Sequence, residues 1–353
     1  MSAALHELIR RLPKAELHCH LDGSVRPQTM LDLAAEYGVD MPAADAAGLA
    51  TFMHVDDARN LEQYLERFAI TLSVMQHADS LERISYELAV DAWRDGVWYL
   101  EVRYCPLLNL ERGLTASDTV DAVLRGLQRA ERELGIVVRV ILCALRQLPP
   151  SASMEVAELA VAYRGKGVVA FDLAGGEAGN PAGLHAQAFQ YARMNDLACT
   201  CHAGEGDGAD SIREAVHLCG CNRIGHATRL IEDASLMSYV NDRRIPLEIC
   251  LTSNVQTRVA ASYMAHPLRR YNELGLPVVL CTDNRLMSAT TLTDEYAHAS
   301  EALQFRFREL AGMAVGSFEA AFLPFREREQ LGARAREAAV ALVEDAAVQG
   351  VAE

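Results

Sequence analysis

Lysine is nearly missing from this chain. Lys14 and Lys166 are the only two, and arginine fills the other 31 of the 33 basic positions. Schiff-base catalysis, or a lysine carboxylate bridging two metals, therefore has only two possible carriers. Basic charge as a whole is also short: 33 Lys and Arg stand against 48 Asp and Glu, for a net charge of −15. Such a surface lacks the patches that neutralise phosphate, which excludes nucleic acid and argues against an anionic membrane. No run approaches the roughly 20 apolar residues of a transmembrane helix. No internal repeat, low-complexity tract or Gly/Ser linker divides the chain. The Cys-x2-Cys spacing of zinc knuckles is absent too. Cys199-Thr-Cys201 and Cys219-Gly-Cys221 are each one residue too short. The nine cysteines read as reduced, buried thiols. Met1 to Arg11 looks like an amphipathic helix without the apolar core of a signal peptide, so a cytoplasmic location is expected.

What the chain does have is alternation. Hydrophobic residues make up 50% of 353, ample for a large core. Short apolar runs suit strands at 15–21, 97–104, 137–144, 167–174, 198–203, 222–227, 246–252 and 277–282. Several are nearly continuous Val, Ile and Leu, as strands buried on both faces should be. Helical periodicity fills 80–95, 118–135, 153–164, 183–195, 208–219, 230–241 and 262–274. Eight strands alternating with helices predict a TIM (β/α)8 barrel, one domain over 1–353. Residues 24–78 form a long excursion after the first strand, expected to be extra helices over one barrel mouth. The tail from Leu292 reads as further helices outside the barrel.

Active sites in such barrels lie at the C-terminal ends of the strands, and this chain collects its polar residues there. The first strand carries His18-Cys19-His20 and is followed by Asp22. Side chains two apart on a strand share a face, so both imidazoles can reach one metal while Cys19 points away. Asp172 lies on the fourth strand, His202 and Glu205 at the fifth, His226 at the sixth, Glu248 on the seventh, and Asp283-Asn284 at the eighth. His18, His20, His202 and Asp283 make a mononuclear set suited to Zn2+, with Fe2+ or Co2+ also compatible. A metal there would bring the pKa of a bound water towards neutrality. Both lysines precede strands, at the wrong end to bridge a second metal. Glu205 could donate a proton to a ring nitrogen, shuttle one to a leaving group, or simply sit at a helix N-terminus. His226 could be a ligand, a base or a core histidine. With four ligands already found, a role as base or in orienting the nucleophile is favoured. Glu248 could hold the His226 tautomer. Leu61, Tyr64, Leu65 and Phe68 have helical spacing and could line an apolar pocket or a plain core.

Taken in order, PKAELHCHLDGS (13–24), YLEVRYCP (99–106), FDLAGGE (171–177), CHAGE (201–205), RIGHA (223–227), LEICLTSN (247–254) and CTDN (281–284) resemble the adenosine/adenine deaminase group of the amidohydrolase superfamily, and bacterial adenosine deaminases in particular. The resemblance implies one zinc ion per chain on His18, His20, His202 and Asp283. Glu205 would protonate purine N1. His226 and Asp283 would orient the nucleophile at C6. Gly175 would contact N3 through its N–H, Asp22 would receive the ribose 5′-hydroxyl, and Glu248 and Ser253 would support His226 and Asp283.

One position departs from the pattern. The family usually has a second aspartate where this chain has Asn284, and an amide can donate to an unprotonated N7 whereas a carboxylate accepts. The function implied is deamination of adenosine and 2′-deoxyadenosine, small purine nucleosides. Another 6-aminopurine is the alternative: a 5′-modified adenosine such as aminodeoxyfutalosine, or free adenine. Asp22 favours the nucleoside, since adenine-specific relatives tend to carry glutamate there. A relative that has lost activity would be expected to lose the zinc ligands or Glu205, and this chain keeps them. Nothing in the sequence bears on oligomeric state.

Overall fold

The computed structural model describes residues 2–55 and 61–350. Nine strands follow one another: β1 (Lys14–His20), β2 (Val97–Tyr104), β3 (Val137–Leu145), β4 (Val168–Ala174), β5 (Ala198–Cys199), β6 (His202–Ala203), β7 (Ile224–His226), β8 (Leu247–Ile249) and β9 (Val278–Leu280). All pair in parallel, in two runs, β1-β2-β3-β4-β5 and β6-β7-β8-β9. β5 and β6 are two halves of the expected strand 198–203, parted at Thr200 and Cys201. The Thr200 N–H still reaches Phe171 O at 3.0 Å and the Gly225 N–H reaches Cys201 O at 2.9 Å. The ring closes where Cys19 bridges Asp283. There the Asp283 N–H bonds to His18 O at 2.9 Å and the His20 N–H to Asp283 O at 2.7 Å. The (β/α)8 barrel read from the alternation is the fold.

Helices join the strands as their end signals direct. Ala116–Leu134 begins at a capping box between Thr115 and Asp118 and stops at Gly135 in the left-handed region. It buries Val120, Val123, Leu127 and Ala130, one face at helical spacing. The excursion holds helices Pro27–Tyr37, Ala46–Met53, Leu61–Leu65 and Phe68–Ser73, and part of it (56–60) lies outside the described residues. The tail forms Leu292–Leu303, Phe307–Glu319 and Phe325–Gln349. One strand boundary needs correction: β8 stops at Ile249, and Leu251–Gln256 is a helix although 246–252 reads as β-forming. Lys14 opens β1, fully buried. Its ammonium donates to Ile9 O, Arg10 O and Leu12 O at 2.9, 3.1 and 3.1 Å, closing the helix Ala3–Arg11. It is committed at the end of the barrel remote from the strand C-termini.

The space beneath the mouth is filled by charge as well as by apolar side chains. Tyr99, Glu101 and Arg103 alternate along one face of β2. Arg103 pairs with Asp172 at 2.9 Å and with Glu248 at 2.9 Å. Arg223 pairs with Glu248 at 2.6 Å and also with Glu101. Below them Ala15, Leu17, Tyr99, Val279 and Cys281 make a small apolar cluster. Cys19 belongs to the larger outer core, pointing away from the site as its place between the two histidines required.

Candidate active site

Five side chains converge at the strand C-termini. His18, His202, His226 and Asp283, all buried, each offer one ligand atom, and these atoms lie within 4.8 Å of one another. His20 joins them: its Nε2 is 3.0 Å from His202 Nε2 and 3.3 Å from Asp283 Oδ1. His18 Nε2 lies 3.3 Å from the same oxygen. Burial holds His20, His226 and His202 below the usual imidazole range. Burial, together with the His18 hydrogen bond and the neighbouring imidazoles, bears on Asp283, and the partners win: its carboxyl stays well below its usual range. Neutral imidazoles beside an ionised carboxylate are the form in which these groups bind a cation.

The far ring nitrogens decide which imidazoles face a metal. His18 Nδ1 lies 2.8 Å from Glu248 Oε2, and His202 Nδ1 lies 3.2 Å from Asp172 Oδ2. A carboxylate only accepts, so both Nδ1 atoms carry the hydrogen, and in the neutral rings both Nε2 lone pairs face the centre. His226 is the reverse case. Asn254 Oδ1 accepts from the Thr228 hydroxyl at 2.9 Å and faces His266 Nε2 at 3.1 Å. That orients the amide so that its Nδ2 donates to His226 Nδ1 at 2.9 Å. Neutral His226 then carries its hydrogen on Nε2, as a donor aimed at the centre. Donor chemistry therefore favours His18, His20, His202 and Asp283 as the ligands. His18 Nε2 is buried without a hydrogen-bond partner among the described residues, as a nitrogen waiting for a cation would be. The residues fit a single divalent ion.

Other predicted residues surround the same space. A cavity of about 260 Å³ is lined by His20, Asp22, Gly175, His202, Glu205, His226, Asp283 and Asn284. Leu61, Tyr64, Leu65 and Phe68 line it as well, with Leu72, Leu108 and Leu145, so the stripe in the excursion is pocket wall. Glu205 Oε2 stands 3.4 Å from His226 Nε2. Burial lifts the Asp22 carboxyl to about 7, and its Oδ1 has no hydrogen-bond partner among the described residues. Asn284 Oδ1 is likewise buried and unpartnered. Gly175 has φ +92°, and a Cβ there would lie 2.1 Å from Gln147 Oε1. His226 and Asp283 themselves hold φ of +61° and +60°, unusual for residues with a Cβ and typical of functional turns.

Two expectations about support are corrected. Glu248 serves His18, while His226 is held by Asn254. Ser253 lies in the helix Leu251–Gln256 with its Oγ buried and unpartnered among the described residues, so it makes no hydrogen bond to Asp283. Sequence reasoning gave Asn254, Gln147 and Arg103 no role, and noted Asp172 only as an acid on the fourth strand.

The sequence model of the family described as adenosine deaminase matches residues 13–338. An "Adenosine deaminase" of Mycolicibacterium vanbaalenii is 43% identical over 338 residues, covering 91% of this chain and 93% of that one. "Adenosine deaminase 1" of Streptomyces coelicolor is 44% identical over 338 residues, covering 91% and 85%. A "Probable adenosine deaminase" of Dictyostelium discoideum is 42% identical over 318 residues, but the match spans only 41% of its length. Among solved structures, an adenine deaminase from Arthrobacter aurescens superposes with TM-score 0.87 at 25% identity, covering 94% and 99%. An Arabidopsis N6-mAMP deaminase gives TM-score 0.83 at 30% identity, with the same coverage. A Burkholderia ambifaria amidohydrolase solved with bound Zn shares the fold at TM-score 0.89 and 24% identity, covering 99% and 96%. With the family's match running over nearly the whole barrel and its mouth, this chain belongs to the adenosine deaminase family.

Proposed function

We propose that this enzyme hydrolyses adenosine and 2′-deoxyadenosine to inosine and 2′-deoxyinosine, releasing ammonia, with one zinc ion per chain on His18, His20, His202 and Asp283. The observation that carries the reading is the meeting of Glu205, the Nε2 donor of His226 and the histidine–aspartate cluster in one cavity. A divalent ion there, when bound, acidifies water so that a nucleophile is available near neutral pH. Everything else falls to the chain. Glu205 donates a proton to purine N1, which draws electrons from C6. His226 Nε2–H holds the attacking oxygen over C6, and Asp283 takes one of its hydrogens. Passing that hydrogen to the amino group turns it into ammonia, which leaves. The proton remaining on the new hydroxyl returns to Glu205 and restores the acid. Gly175 N–H, Asn284 and Asp22 address N3, N7 and the 5′-hydroxyl.

The cavity also supports a nucleoside over a nucleotide. Its wall is apolar, from Leu61 to Leu108, and no lysine or arginine lines it among the described residues. A 5′-phosphate would lose its hydration there with no countercharge. A 5′-modified adenosine with an apolar substituent suits the same wall and remains the second reading. A cytoplasmic location accords with nine unpaired cysteines, and no described helix is long and apolar enough to cross a membrane.

The test is to offer the zinc-loaded chain adenosine, 2′-deoxyadenosine, adenine and 5′-modified adenosines, following loss of the adenine absorbance band. Turnover of the two nucleosides is expected. Turnover of adenine alone would overturn the role given to Asp22, and turnover of none would end the proposal. Glu205→Gln should retain about one metal per chain and lose most activity.

A further inference from the structure

We propose that Glu177 is a positioning residue for Glu205: its carboxylate is an internal anion around which the acid-bearing loop folds. The assignment rests on the reading of Glu205 as the proton donor. Glu177 lies three residues beyond β4 and is 2% exposed. Its Oε1 accepts from the Gly204 N–H at 2.7 Å. Its Oε2 accepts from the N–H groups of Glu205, Gly206 and Asp207 at 2.9, 2.6 and 3.2 Å. Four consecutive backbone amides thus converge on one carboxylate. Concave runs of amides of this kind bind anions, and bonds to an ionised acceptor are about twice as strong as neutral ones.

The loop needs such a centre. Glu205 stands between Gly204, at φ +75°, and Gly206, so its backbone has unusual freedom when nothing holds it. One of the four bonds comes from the Glu205 amide itself, which fixes the base of the acid's side chain relative to β4. The same strand and its extension carry Asp172, which orients His202, and Gly175, which lines the cavity. β4 therefore registers ligand, substrate floor and acid together. The packing around the loop is tight. A Cβ on Gly206 would lie 3.2 Å from both Glu177 Cβ and Leu61 Cδ2, so the loop is pressed between its anion and the apolar pocket wall.

Glu177→Gln removes the charge and turns one oxygen into an amide that faces N–H groups. Two measurements on the zinc-loaded full chain read the effect. Amide hydrogen exchange over Gly204–Asp207 should accelerate at least about tenfold, as expected when charge-assisted bonds of this strength are lost. For adenosine, kcat should fall about 10- to 100-fold while KM stays within about threefold and zinc stays at one per chain, because a misplaced acid harms the chemical step more than binding. Glu177→Asp, which keeps the charge on a shorter arm, should recover part of kcat. A Glu177→Gln enzyme with kcat within twofold of wild type overturns the proposal, as does activity lost only in proportion to zinc. Should that variant not fold, Gly206→Ala is read by the same two measurements with the same outcomes. The two readings fail separately. A wild-type chain inactive on every 6-aminopurine removes the deaminase reading, whereas an active one whose variants match it in exchange and kcat removes only this one.

Discussion

Glu248 Oε2 sits 2.8 Å from His18 Nδ1, while Arg103 and Arg223 hold the same carboxylate at 2.9 and 2.6 Å. One buried anion thus orients a metal-facing imidazole and balances two buried guanidiniums. Burial alone would raise its pKa, yet the two arginines and His18 keep it ionised, well below the usual carboxylate range. Glu248→Gln should therefore weaken zinc binding by about 10- to 100-fold. It should also cost about 1–3 kcal/mol of stability, because Arg103 and Arg223 each lose one of two carboxylate partners, keeping Asp172 and Glu101. Chelator competition and urea unfolding check the two parts. Wild-type values in both would show that Glu248 is a bystander.

Asn284 is predicted to read purine N7 as a permanent donor. 7-Deazaadenosine, with carbon at that position, leaves the amide hydrogen unpaired in a buried site, at about 1–3 kcal/mol. Wild-type kcat/KM should fall about 10- to 100-fold from adenosine to this analogue. In Asn284→Ala the two substrates should converge. Equal discrimination by wild type and variant would place N7 recognition elsewhere.

Gly175 is expected to tolerate no side chain. Its φ of +92° already disfavours one, and a Cβ would stand 2.1 Å from Gln147 Oε1. Gly175→Ala should raise KM for adenosine at least about tenfold, with zinc content unchanged, because the purine floor moves while the ligands stay. Unchanged KM would remove Gly175 from the substrate contact.

Glu295 offers a pH test away from the ligands. Burial lifts its carboxyl to about 7, against hydrogen bonds from Thr252 N–H at 3.1 Å and the Thr290 hydroxyl at 2.8 Å. The native state therefore holds this proton more tightly than the unfolded chain does. Stability from the group is present below about pH 4.5 and lost as pH rises to about 7. Glu295→Gln removes that slope. The variant's advantage over wild type should grow between pH 5 and 7 and level off above, at about 1–3 kcal/mol. Parallel stability profiles across that range would contradict it.

The barrel was legible because its strands are buried on both faces and read mostly as apolar runs, with histidines and acids gathered towards their C-terminal ends. His18, His20, His202, His226 and Asp283 were legible for the same reason. The supports were not. Whether Glu248 meets His18 or His226 depends on which rings face each other across the barrel, and on the direction in which Asn254 turns its amide. No local spacing encodes either. Asn254 closes a quoted motif but carried no role, because Leu251–Gln256 reads as the end of a strand and is a helix in the fold. Glu177 was within a quoted motif but silent, since its partners are backbone amides, which have no sequence signature.

Asp283 has a second consequence, for the order in which the molecule is made. Its peptide group joins the last strand to the first through His18 O and the His20 N–H, and its side chain reaches the same two histidines. The two ends of the sheet lie far apart along the chain, so this junction closes a long loop and carries its entropic cost. An ion held by the proposed ligands on both sides of the junction would act as a clasp on that loop, favouring the closed ring over any opened one. A chain that has not yet closed has no complete coordination sphere. On the proposed ligand set, ring closure therefore completes the metal site.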